Sequence, residues 1–229
     1  QINTTIKNED GSFFCQNLYH FFMYSPQRES YLRPYFKVKD GEIFVDVGAN
    51  VGKYSIFIAK RYSKSTVVAV EPDERAFNIM QKNIGLNSLK NIQIIKKAAS
   101  NKIGKIEFFI NEENSARNSV YKEEIAGQSN YNEQRGKKHF NTQKISIPCT
   151  TLDEILKNSQ KIGLIKIDVQ GAEANVLNGA LKIIRRDSPA ILFEAWDAKR
   201  LIEIKKILSP MNYRFVKIDE FNFLAKYKI

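Results

Sequence analysis

The stretch from Glu42 to Ser55, EIFVDVGANVGKYS, constrains this chain more than any other. Its first half is β-branched and aromatic without polar alternation, the pattern of a strand covered on both faces in a parallel sheet. The strand ends at Asp46, and Gly48 and Gly52 then carry the chain through a tight turn. An amphipathic helix follows, with Tyr54, Ile56, Phe57, Ile58 and Tyr62 among its apolar positions. Strand, glycine turn and helix together make half of a site for a nucleotide-like ligand. Glycines let the backbone approach closely, and the N–H groups at a helix start attract polar groups. The same pattern also serves an ordinary α/β crossover that binds nothing.

The residues narrow the ligand. The dinucleotide pattern G-x-G-x-x-G is absent, because Asn50 stands where its second glycine belongs. The phosphate-cradling Walker pattern fails as well, since only Ala49, Asn50 and Val51 separate Gly48 from Gly52, and Tyr54 replaces the magnesium-holding hydroxyl. A second strand, Thr66 to Val70, ends in Glu71-Pro72-Asp73, where an acidic side chain is placed to accept from both hydroxyls of a ribose. A glycine turn with a ribose acid and no phosphate cradle suits S-adenosylmethionine (SAM) better than NAD or ATP.

Length and charge set the frame. A chain of 229 residues is most simply one large α/β domain, and 43% hydrophobic content suffices for its core. No apolar run approaches the roughly 18–20 residues that span a membrane, and no signal-peptide pattern is present. Cys15 and Cys149 match no metal-binding spacing, and with two histidines in the chain no metal centre is expected. Free thiols in a reducing compartment, and hence a cytoplasmic protein, are the expectation. The net charge of +11 would draw anionic partners, nucleic acid among them, but the lysines are scattered rather than gathered into a run.

Residues 1–40 read as a cap segment, and 41–229 as the main domain with a polar insertion at about 111–143. In the cap, Phe13, Phe14, Leu18, Tyr19, Phe21, Phe22 and Met23 cluster too densely for a surface, and a helix is expected near 27–36. His20 reads as a packed core histidine. After Glu71 a helix runs from Asp73 to about Leu86, with Ala76, Phe77, Met80 and Ile84 at 3.6-residue spacing. A third strand, Ile92 to Ile95, leads to Ala98-Ala99-Ser100, whose small size leaves room for a flat ring such as adenine or for close helix packing. Alternating strands at 105–110 and 144–149 enclose the insertion, which carries Ser115, Arg117, Asn118, Ser119, Tyr121, Arg135 and His139 and reads as a substrate loop.

A second chemical cluster follows. Leu164 to Asp168 is a buried strand ending in a carboxylate, followed by Gln170-Gly171-Ala172-Glu173. In an open parallel sheet, ligands lie beyond the carboxyl ends of the strands, so Asp46, Glu71 and Asp168 should open onto one crevice. Lys166, inside an apolar strand, needs a partner, and Glu173 or Glu194 could supply it. The alternative is structural: Asp168 as a helix cap and Lys166–Glu173 as a packing ion pair. A strand at 190–193, a helix at 198–208 and a closing hairpin complete the pattern.

In this combination and order, the chain resembles the FkbM-type family of SAM-dependent methyltransferases. The likeness rests on Val45 to Ser55, Val70-Glu71-Pro72-Asp73, Asn83, Asn87, Thr151-Leu152-Asp153, Ile165 to Asp168, Gly171-Ala172-Glu173, Leu177 to Ala180 and Phe193-Glu194. It implies a class I methyltransferase fold: a Rossmann-like, mostly parallel sheet of seven strands with an antiparallel last strand and helices on both faces. It implies transfer of a methyl group from SAM to a hydroxyl of a sugar, glycan or other small metabolite. The cofactor would then lie on Asp46, Gly48, Ala49, Asn50, Gly52, Tyr54, Ser55, Glu71, Pro72, Asp73, Ala99, Ser100 and Asp168. Asp168, Glu173 and Glu194 are the candidate proton acceptors, with Lys166 orienting them. One departure stands out: the family usually has an acid where this chain has Gln170, which cannot ionise. An RNA methyltransferase and a SAM-binding protein with impaired catalysis are the competing readings.

Overall fold

The computed structural model describes residues 3–111, 118–121 and 142–228. Strands β1 (Thr4–Asn8) and β2 (Gly11–Cys15) pair as an antiparallel hairpin ahead of the main sheet. That sheet has seven strands: β3 (Ile43–Val47), β4 (Thr66–Val70), β5 (Ile92–Ile95), β9 (Ile162–Ile167), β10 (Ala190–Glu194), β11 (Tyr213–Lys217) and β12 (Asn222–Tyr227). Their spatial order is β11-β12-β10-β9-β3-β4-β5. Six of them run in one direction, and β12 slots between β10 and β11 antiparallel to both. The expected fold class is therefore the one that forms, with the reversal at the last strand. A smaller sheet joins β6 (Ala98–Ala99), β8 (Thr142–Thr150) and β7 (Gly104–Asn111), with β8 in the middle.

Side chains alternate across the sheet, so each strand feeds two cores. Val45, Val47, Ile165 and Ile167 meet α4 (Leu152–Ile155), α5 (Glu173–Asn178), α6 (Leu181–Asp187) and α7 (Ala198–Leu208) on one face. Phe44, Val67, Leu164 and Leu192 face the opposite way, against Ile58 of α2 (Lys53–Arg61) and against Phe36. Helix α3 (Glu74–Leu86) carries the 3.6-residue stripe, with Ala76, Ile79 and Met80 buried and Asp73 capping its first turn. Among the described residues no helix is long and apolar enough to cross a membrane.

The N-terminal segment departs from expectation twice. The helix expected near 27–36 is a 3₁₀ turn over Ser30–Tyr35, because Pro34 inside it has no N–H to give to an α-helical ladder. The aromatic cluster is also split. Phe13 and Tyr24 are buried and stacked, with ring centroids 4.4 Å apart. Leu18, Phe21 and Phe22, on the short helix α1 (Leu18–Met23), are 66%, 52% and 63% exposed. A helix of six residues presents one narrow face to the core, and His20 occupies it, with burial lowering its pKa.

Asn83 of α3 and its C-cap Asn87 fasten the hairpin to the main sheet's layer. Asn83 Oδ1 accepts from Phe14 N–H at 2.7 Å, while its Nδ2 donates to Tyr24 Oη and to the Val51 carbonyl. Asn87 Oδ1 accepts from Ser12 N–H, and its Nδ2 returns a bond to the Ser12 carbonyl. A side-chain amide that mimics a missing strand partner explains both positions physically. Of the polar insertion, residues 118–121 lie along β7, with Ser119 and Phe109 exchanging both backbone hydrogen bonds. Ser115, Arg117, Arg135 and His139 lie outside the described residues.

Candidate active site

The site grows from the turn after β3. Gly48 (φ 75°), Asn50 (φ 50°) and Gly52 (φ 84°) all take the left-handed conformation, which Asn tolerates better than other side chains. A Cβ built at Gly48 would fall 1.9 Å from the Asp168 carbonyl oxygen, so the turns after β3 and β9 touch backbone to backbone. The turn's N–H groups are less available than expected. Gly48 and Ala49 both donate to the Val70 carbonyl, and Asn50 N–H donates to Glu71 at 2.8 Å. Internal bonds thus lock the loop's shape, and the cleft in front of it is recognised by side chains.

That cleft measures about 830 Å³ with its open mouth and lies beyond the carboxyl ends of β3, β4 and β9. Glu71 and Pro72 form one lip, and Ala98, Ala99, Phe108 and Val120 give it an apolar wall. The Glu71 carboxylate is aimed by two backbone amides, Oε2 accepting from Asn50 and Oε1 from Asp73, each at 2.8 Å. Burial pushes its pKa up to about 8, against the pull of those two bonds.

On the β9 side of the same cleft stand Lys166, Asp168 and Gln170. Lys166 sits on β9 beside Asp46 on β3, its cross-strand partner, and its Nζ is 3.7 Å from Asp46 Oδ1 and 3.4 Å from Asp168 Oδ2. The expected partners Glu173 and Glu194 are replaced by these two carboxylates, because β3 and β9 are adjacent and parallel. Burial alone would lower the Lys166 pKa, but Asp168, Asp46 and Glu194 raise it above its ordinary value, and the group stays charged. Asp168 Oδ1 accepts from Gln170 Nε2 at 2.9 Å, with Gln170 itself left-handed at φ 52°. Asp168 is no helix cap; Ala172 precedes α5.

Several predicted residues lie behind this surface. Asp46 is fully buried beneath the cleft, where it accepts from Ser55 Oγ at 2.7 Å, and its Oδ1 has no hydrogen-bond partner. Of the three strand-tip acids, two therefore face the crevice and the third supports Lys166 from below. Gly52 lies against Met80, where an added Cβ would meet Cγ at 2.8 Å. Asp73 caps α3 and pairs with the Arg75 guanidinium and the Asn118 amide rather than facing a ring slot. Ser100 is buried outside the cleft lining, next to Ala99, which belongs to it. Glu173, expected among the proton acceptors, folds back to accept from the N–H groups of Val169 and Gly171. Burial lifts its pKa to about 7.

A second, smaller chamber of about 270 Å³ opens on the far side of Tyr54. It shares Tyr54, Lys166 and Asp168 with the larger cleft and adds Glu29, Leu32, Glu194 and Asn222. Glu194 and Asn222 are brought face to face as register partners of β10 and β12. Burial, then Asp168 nearby, pushes the Glu194 pKa up to about 9. Glu29 comes from the segment ahead of the 3₁₀ turn, in a left-handed conformation (φ 59°). It accepts from Tyr54 Oη and lies 3.7 Å from Lys53 Nζ. Sequence reasoning missed Glu29 and Asn222, because no local motif surrounds either.

The comparisons with known proteins agree with this fold. The family model described as the methyltransferase FkbM domain matches residues 46–227. Methyltransferase 1 of Beauveria bassiana (strain ARSEF 2860) is 25% identical over 146 residues, which is 61% of this chain and 59% of that protein. Methyltransferase sdnD of Sordaria araneosa is 25% identical over 156 residues, again 59% of its own length. The match thus spans about three fifths of these relatives. Among solved structures, methyltransferase FkbM from Methylobacillus flagellatus KT superposes with a TM-score of 0.58 at 19% identity, covering 89% of this chain and 48% of that one. M. jannaschii TYW2, solved in complex with AdoMet, gives 0.54 at 14% identity over 99% of this chain and 86% of its own. At such identities the structures speak for the fold, and the family match extends over most of the sequence: the chain belongs to the FkbM methyltransferase domain family.

Proposed function

We propose that this chain is a SAM-dependent O-methyltransferase whose acceptor is a hydroxyl of a small metabolite, sugar or glycan. One observation carries the reading: the amide-anchored Glu71 carboxylate and the Asp168–Lys166 pair line one cleft, on the strands either side of β3. The residues present fit the cofactor. Glu71 keeps lone pairs for the two hydroxyls of a ribose, and the wall of Pro72, Ala98, Ala99, Phe108 and Val120 suits a flat apolar ring. SAM supplies a methyl group on a sulfonium, a leaving group that needs no acid.

The chain's own groups would do the rest. Asp168 stands where cleft and chamber meet and takes the proton of the acceptor hydroxyl. Lys166 and Gln170 each hold one of its oxygens, fixing the carboxylate's orientation. Glu194 lines the chamber only and, holding its own proton at neutral pH, can donate a hydrogen bond to the acceptor. Holding the acceptor oxygen in line supplies much of the acceleration, since proximity alone is worth about 7–11 kcal/mol in well-oriented systems.

Calorimetry with S-adenosylhomocysteine tests the reading. Glu71→Ala removes the ribose acceptor and should weaken binding by about 3 kcal/mol, roughly a hundredfold. Unchanged affinity would remove Glu71 from the cofactor site. A nucleic-acid acceptor, suggested by the net charge, fits less well, because the lysines are scattered along the chain rather than gathered into a run. Binding without turnover is the second reading, motivated by Gln170, which can neither take a proton nor hold a metal as a carboxylate would. The buried free thiols of Cys15 and Cys149 suit a reducing, cytoplasmic setting.

A further inference from the structure

Lys53 lines the larger cleft, yet the reaction above gives it no part. It breaks two local rules at once. It opens α2, where the helix dipole favours anions, and no acidic residue in the first turn offsets it. Its side chain is 8% exposed, and a lysine seldom lies so deep without a carboxylate bonded to it. Nζ donates to the Arg28 carbonyl at 2.9 Å, which occupies one of the ammonium's three donors. Glu29 Oε2, 3.7 Å away, is beyond hydrogen-bond reach and takes the Tyr54 hydroxyl instead. Burial lowers the Lys53 pKa to about 8 against the pull of Glu29, so the group keeps its charge at neutral pH. Residues that break local rules in this way gather at functional sites.

What else the cleft offers narrows the ligand. An amino-acid tail carries a carboxylate, and the glycine turn has little to give it. Gly48 and Ala49 N–H both bond the Val70 carbonyl, and Asn50 N–H bonds Glu71. Among the described residues two cations line the cleft, Lys53 and Lys166. Lys166 stands between Asp46 and Asp168, 3.7 and 3.4 Å away, so its charge is already balanced. Lys53 keeps donors in reserve, and its nearest carboxylate is engaged by Tyr54. A carboxylate brought to it would meet a buried ammonium at the positive end of a helix, where water screens little. We infer that Lys53 receives the carboxylate of the cofactor's methionine tail and so fixes that end of the molecule in the cleft. The inference rests on the methyltransferase reading for the presence of that tail. An anion on the acceptor would have the same chemistry, and the choice of ligands separates the two.

Calorimetry on the whole protein uses three ligands. They are S-adenosylhomocysteine, its decarboxylated analogue, which keeps the amine, and methylthioadenosine, which lacks the amino-acid tail. The unaltered protein should prefer S-adenosylhomocysteine to the decarboxylated analogue by about ten- to a hundredfold, as expected for a charge-assisted hydrogen bond. Lys53→Gln removes the charge and keeps a donor for the Arg28 carbonyl, and it should erase most of that preference. Its affinity for methylthioadenosine should stay unchanged, which also shows that the variant folds. Lys53→Met, similar in length and apolar, should behave alike. An unaltered protein indifferent to the carboxylate overturns the inference with no variant needed. Variants that weaken all three ligands equally overturn it too, and make Lys53 a structural group. Variants that keep the full preference overturn it as well, and leave the lysine to an anion of the acceptor. If none of the three ligands binds the unaltered protein, the methyltransferase reading itself falls.

Discussion

The two cavities that meet at Tyr54, Lys166 and Asp168 are built in different ways. The polar side of the larger cleft is made by short contiguous segments, 47–54, 70–72 and 166–170, whose shape is set by backbone bonds and left-handed residues, and Ala98, Ala99, Phe108 and Val120 add its apolar wall. The smaller chamber is made by side chains from Glu29, Leu32, Glu194 and Asn222, which lie far apart in sequence. Backbone geometry suits a part every member of a fold family must keep. Side chains gathered from distant elements can change singly, which suits the part that selects an acceptor.

Four substitutions or conditions probe this contrast, beginning with one of the groups both cavities share. Asp168→Asn should lower methyl transfer, followed with labelled SAM, by about a hundred- to ten-thousandfold while S-adenosylhomocysteine still binds. Loss of binding instead of turnover would tie Asp168 to the cleft alone. Lys166→Ala should destabilise the fold by about 3–5 kcal/mol in urea denaturation, because it leaves the fully buried Asp46 carboxylate without its cation. A smaller loss would mean that Asp46 takes up a proton.

Glu29→Gln reaches the chamber only. It should cost about 1 kcal/mol of stability through the weakened Tyr54 and Lys53 contacts and leave S-adenosylhomocysteine affinity unchanged. A fall in that affinity would erase the boundary drawn at Tyr54. The last effect is one of pH. Glu173, Glu71 and Glu194, at about 7, 8 and 9 in the folded chain, hold their protons more tightly than in the unfolded one. Stability from these groups is complete below about pH 4.5, the ordinary glutamate value, and declines as pH rises toward 9. A Tm series from pH 5 to 9 should slope downward, and Glu173→Gln should make the slope shallower.

The same contrast governs what could be read from the chain alone. The strand at 43–47, its glycine turn, the acid at Glu71 and the Asp168 tip were legible because each is a local pattern with a local cause. The antiparallel end of the sheet was legible too, since a closing hairpin allows few placements. The partner of Lys166 was not: it depends on β9 lying beside β3, a fact of topology that assigns Asp46 and frees Glu173 to cap its own loop. The exposed face of α1 was misjudged because apolar density reveals how much surface there is to bury and says nothing of how many residues a helix has to bury it with. Glu29 carried no signal, since a single left-handed glutamate ahead of a 3₁₀ turn looks like any surface residue.

The slot that β12 fills has a consequence for synthesis on the ribosome. Residues 190–194 emerge well before 222–227, so until the later segment appears the hydrogen-bonding edge of β10 has no neighbour on that side. A nascent chain paused there exposes an apolar edge, the kind that recruits chaperones or sticks to a second copy. Glu194 at the strand's end is the one charged side chain on that edge. A group assigned to chemistry in the finished protein thus also stands guard over an unfinished one.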